Sequence, residues 1–254
     1  MFDMASQLTF NLMNKDSEFR YTVPPRPEGE ALTFEEVELR FLKQLEAKGG
    51  NCTQALENLA RLCAQTGRHE EAIRYLEQLI ALSNDPEDHA AYHLALGANM
   101  EQVGDFLGAV KFYRHALEVE PSNRETWYFI HNNLGYSLNQ LGQHDEAIPY
   151  LRHAIKIDPS YSNAHKNLGL AMEAKGQFAE AASFYVSATQ ANAADPRSLA
   201  HLESLMLSHP EVGLELPSLT DQLEACREAV KIAQRHQLDF EALWKKDRLN
   251  QKRE

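Results

Sequence analysis

The chain has 254 residues, a hydrophobic fraction of 43% and a formal net charge of −12 at pH 7. That charge argues against nucleic acid as a general partner, because phosphate binding needs clustered Lys and Arg. No stretch reaches the ~20 apolar residues of a membrane span, and the start MFDMASQLTF lacks the basic and apolar segments of a secretory signal.

Three sparse cysteines, Cys52, Cys63 and Cys226, supply neither a disulfide framework nor metal-ligand spacing, which suits a reducing compartment. A cytoplasmic protein is expected. Few β-branched runs and no long alternating stretch favour an all-α fold.

In chain order, residues 1–30 read as an extended arm without helical period, ending in VPPRPEGE, where proline excludes helix. Phe2, Leu8, Phe10, Leu12, Met13, Phe19 and Tyr21 are many apolar groups for a solvated tail, so two readings stand: a flexible terminus, or an arm that docks on its own chain or on a partner. Thr33 resembles an N-cap, with Glu35 and Glu36 in the first turn. Val37, Phe41, Leu42 and Leu45 then form a buried stripe before Gly49-Gly50, and residues 31–50 are read as a capping helix.

Residues 51–195 carry four copies of one pattern. Leu59-Ala60, Leu96-Gly97, Leu134-Gly135 and Leu168-Gly169 are matched by turn glycines at Gly67, Gly104, Gly142 and Gly176. Small residues follow at Ala72, Ala109, Ala147 and Ala181, and all three markers step together by 37, 38 and 34 residues. Each second helix adds a large apolar residue (Leu76, Tyr113, Leu151, Tyr185), and proline stands near each exit (Pro86, Pro121, Pro159, Pro196). The period predicts helix pairs over 53–66 and 69–82, 88–103 and 106–119, 123–141 and 144–157, and 161–175 and 178–191. The longer second step predicts an added turn on the first helix of repeat three.

Residues 196–236 predict two further helices, the last with Leu219, Leu223, Cys226, Val230 and Ala233 on one stripe, covering the end of the array. Residues 237–254 read as a charged tail that from Lys245 onward has five basic against two acidic residues.

A helix-turn-helix unit near 34 residues resembles the tetratricopeptide repeat (TPR) family. The resemblance covers four repeats with flanking helices, and implies a right-handed superhelical α-solenoid. It also implies that the first helices line a concave groove holding an extended peptide segment of another protein. Carried over position by position, the lining is Asn58 and Arg61; Leu94 and Glu101; Phe129, Asn132, Asn133, Tyr136, Asn139 and Gln140; and Asn163, Lys166, Asn167, Leu170 and Glu173. Phe129 and Tyr136 are the expected aromatic anchors. Asn58, Asn133 and Asn167 each precede the Leu of the marker pair, which resembles the asparagine ladder of the O-linked N-acetylglucosamine transferases. The Lys-Asn/Asn/Lys-Arg clamp of chaperone-tail binders is not reproduced, since Glu57, Arg61 and Ala95 stand at its positions.

No phosphate loop, nucleotide fingerprint, nucleophile elbow or HExxH motif is present, so neither catalytic residues nor a cofactor is expected. Of 11 histidines, His93, His131 and His165 share one repeat position, His69 and His144 another, His115 and His153 a third. Equivalent positions in adjacent repeats lie about 10 Å apart, too far to share one zinc at about 2 Å per nitrogen. No metal site is therefore expected. The chain reads as a non-enzymatic adaptor; the competing reading is an assembly subunit that self-associates, its groove filled by its own arm or final helix.

Overall fold

The computed structural model describes residues 33–251, with side chains as far as Phe240, so the arm of residues 1–30 lies outside the described residues. The described residues form twelve α-helices and no strand. None of these helices is long and apolar enough to cross a membrane. The fold is all-α, built from helix-turn-helix repeats. The chain divides into two compact units, up to Leu141 and from Gly142.

The first unit opens with α1 (Phe34–Ala47), capped more completely than a first-turn charge alone would do. Thr33 Oγ1 accepts from Glu36 N (3.3 Å), while Glu36 Oε2 accepts from Thr33 N (2.9 Å), a reciprocal capping box. Val37 and Phe41 of α1 pack on Leu59 and Leu62 of the next helix, with Leu45 partly buried beside them. Leu42, expected in that stripe, is 39% exposed on the far side.

Helices α2 (Thr53–Gln65) and α3 (His69–Leu82) form the first pair, α4 (Pro86–Gln102) and α5 (Phe106–Glu118) the second. Helix α6 (Arg124–Gln140) completes the unit. The irregular period now has a physical cause. Helices α4 and α6 have 17 residues each, whereas α2 has 13. Asp85 caps α4 through Glu87 N (2.9 Å), with Pro86 in its first turn. Asn123 caps α6 through Glu125 N (2.8 Å) and Thr126 N (3.1 Å). The inserted residues lengthen first helices and leave the turns unchanged.

Two kinds of glycine hold these pairs. Gly104 at the turn has φ +83°, and a Cβ there would meet nothing, so the backbone conformation alone selects glycine. Gly97 has ordinary helical geometry, but a Cβ there would fall inside the buried Tyr113 ring. Repeat one carries Ala60, which shares a core cluster with Leu76.

The second unit contains α7 (His144–Ile157), α8 (Ser162–Ala174), α9 (Phe178–Ala191), α10 (Arg197–Ser208), the short α11 (Val212–Glu215) and α12 (Leu219–Gln251). Helices α8 and α9 pair as the earlier repeats do, and a Cβ on Gly169 would stand 2.6 Å from Tyr185 Cε1. Helix α12 packs on α9 and α10, burying Leu219, Leu223, Cys226 and Val230. The segment from Lys245, read as a charged tail, continues that helix as far as Gln251.

Candidate partner-binding face

In the first unit the expected lining sorts into three groups. Leu94 and Phe129 are each 2% exposed, so they are not open apolar spots. Phe129 meets Tyr128 edge to face at 5.0 Å, which corrects its assignment as an anchor. Asn132 is also buried, its amide donating to Asn133 Oδ1 (2.9 Å).

A second group ties repeat to repeat. Glu101 Oε1 accepts from Ser137 Oγ (2.6 Å), and Glu57 Oε1 accepts from Tyr92 Oη (2.7 Å). Burial, then the Glu101 carboxylate, raises the Tyr113 hydroxyl well above the usual phenol range. Glu101 is thus committed to the fold first. Tyr92 and Ser137 escaped the sequence reading, although each lies about one period after its partner carboxylate.

The third group keeps part of its surface. Asn58, Arg61, Asn133, Tyr136 and Asn139 are partly exposed and Gln140 is exposed. Arg61 donates to Asn58 Oδ1 (2.5 Å), a bond within a single helical turn. Tyr136 rests edge to face on Phe106 at 6.2 Å, which orients the ring.

In the second unit Asn163, Lys166, Leu170 and Glu173 of α8 are partly exposed, while Asn167 is 4% exposed. Lys166 donates to Asn163 Oδ1 (3.3 Å). Glu173 Oε2 accepts from Tyr185 Oη (2.5 Å), and His201 of α10 stacks on the Tyr185 ring at 5.3 Å. Burial, joined by the Lys166 and Arg197 cations and opposed by Glu173, lowers the His201 pKa. His201 belongs to no repeat, so periodicity could not find it.

The recurring histidines have structural partners. His93 stacks on Phe112 (6.0 Å) and His165 lies tilted over Phe184 (6.5 Å), each on the second helix of its own repeat. His131 Nδ1 bonds Trp127 O (2.8 Å). Burial, then neighbouring His115 and His89, lowers His93 to about 4. Elsewhere, Glu38 and Glu71 approach Cys63, but Arg68 pairs with both (2.7 and 3.6 Å). Burial also pushes the Cys63 thiol up to about 11, far from a thiolate ligand.

Family models described as tetratricopeptide repeat match residues 51–121 and 128–161. No curated protein matches significantly. Among solved structures, MamA (41-end) from Desulfovibrio magneticus RS-1 is 22% identical with a TM-score of 0.54, covering 73% of this chain and 96% of that one. A second MamA structure is 22% identical at TM-score 0.53, covering 75% and 93%. YrrB, described as a TPR protein with an unusual peptide-binding site, is 19% identical at TM-score 0.54, covering 78% and 97%. At these identities the likeness is one of fold.

Proposed function

The chain is a tetratricopeptide-repeat protein, and we propose that it is a non-enzymatic scaffold whose first helices hold an extended segment of a partner protein. One observation carries this reading. The aligned amides Asn58 and Asn133, with the oriented ring of Tyr136, stay partly exposed on helices whose apolar side chains are buried. Carboxamides can donate to and accept from a peptide backbone at once. An aromatic ring already held by Phe106 loses little entropy on binding. The peptide-binding description of YrrB supports the same use of this fold.

The variant Asn133→Ala/Tyr136→Ala is expected to retain its helicity, because both positions are partly exposed. Its affinity for a partner captured by wild type should fall more than tenfold. Each lost hydrogen bond contributes about 1 kcal/mol, and the aromatic anchor contributes at least as much. Measured by titration, an affinity within twofold of wild type would remove these side chains from the interface.

A further inference from the structure

The end helix of a repeat array needs a polar outer face, and α1 departs from that rule. At about 100° per residue, Leu39 stands opposite the Val37 and Phe41 stripe that covers α2. Leu39 is 51% exposed, and Leu42, nearly one turn further on, is 39% exposed. A shallow depression of about 430 Å³ runs along this outer face, lined by Glu36, Leu39, Arg40, Lys43, Gln44 and Ala47. The Glu36 carboxylate already accepts from Thr33 N in the capping box, so the charges that the depression offers a ligand are those of Arg40 and Lys43.

The chain that enters α1 supplies an occupant of matching chemistry. Residues 1–32 lead directly into Thr33, the N-cap of α1. They carry Leu8, Phe10, Leu12 and Met13 in close succession, followed by the acidic Asp16 and Glu18. The stretch from Phe19 to Thr33 extends to at most about 50 Å. Helix α1, with 14 residues, is only about 21 Å long. The apolar stretch can therefore return along the whole of α1. The partner-binding face offers it less, because Leu94 and Phe129 are buried there. A tether this short also holds the arm at a local concentration of about millimolar, well ahead of a second copy in dilute solution.

We propose that residues 8–19 dock along the outer face of α1 in the same chain, the apolar stretch covering Leu39 and Leu42 while Asp16 and Glu18 meet Arg40 and Lys43. The arm thereby screens an apolar end that would otherwise offer a second copy a place to stack. Its seat lies on the side of α1 away from α2, so the first helices stay open to a partner segment.

The test puts a photoreactive amino acid in place of Lys43 in the full chain, mixes unlabelled with isotope-labelled protein at micromolar concentration, and maps the cross-linked peptides. The expected products join position 43 to residues 8–19 within chains of one isotope only. In Leu39→Glu/Leu42→Glu, both exposed positions that leave the packed stripe intact, the yield should fall at least about tenfold. Backbone amides of residues 8–19 should also exchange at least about tenfold faster in that variant than in wild type. Products of mixed isotope, no product containing residues 8–19, or equal yield and exchange in the variant would each overturn the seat. Affinity for a partner captured by wild type should stay within twofold in this variant, so failure of the arm's seat and failure of the partner-binding face are read separately.

Discussion

Gly97→Ala is expected to destabilise the chain by about 2–3 kcal/mol, a large effect for adding one methyl group. The new Cβ would enter the ring of Tyr113, which is fully buried and cannot move aside. Helix propensity points the other way, since alanine is favoured over glycine in a helix interior by about 1 kcal/mol, so a measured loss isolates the steric effect. Repeat one supplies the remedy: it carries Ala60 with Leu76. Gly97→Ala/Tyr113→Leu should therefore be more stable than either single variant in urea unfolding followed by circular dichroism. Additive losses in that double-mutant cycle would show that the glycine answers to something other than the ring.

Phe41→Ala should cost about 3 kcal/mol by the usual scale for emptying an aromatic site. Its consequences should also be local. Phe41 is 6% exposed and, with Val37, covers Leu59 and Leu62 of α2. Repeat arrays lose stability through nearest-neighbour interfaces, so α1 should lose hydrogen-exchange protection ahead of the rest of the first unit. The Arg68–Glu38 pair, bonded at 2.7 and 3.0 Å, also joins α1 to the turn after α2. Being partly solvated, it should not hold α1 once the aromatic contact is gone. Uniform loss of protection across α1–α6 would mean that the unit unfolds as one block.

Much of this architecture was legible because the repeat markers shift together. The Leu-Gly pairs, turn glycines and small residues point to a helix pair, and the tyrosine of the second helix explains the glycine at Gly97 and at Gly169. The candidate face was less legible. Periodicity assigns Leu94 and Phe129 to the same side of the first helices as Asn133 and Tyr136, yet it cannot say how deeply each is covered. Both apolar side chains are in fact buried. Glu101 looked like groove lining but is held by Ser137, a contact that needs the next repeat in place. Leu42 shows the same limit, since three- and four-residue spacing gave it a place in a stripe that Val37, Phe41 and the partly buried Leu45 fill without it. His201 comes from α10, beyond the repeats, where no period predicts its stacking on Tyr185.

The central claim is that a partner segment lies along the first helices. Its most direct test places a photoreactive amino acid at position 136 on α6 and, separately, at exposed position 111 on α5, followed by irradiation with partner-containing lysate and peptide mapping. The account predicts that position 136 cross-links one short contiguous segment of another protein and that position 111 does not. Cross-links from 111 with none from 136 would contradict it, as would products from 136 that contain only residues 1–30 of the chain itself.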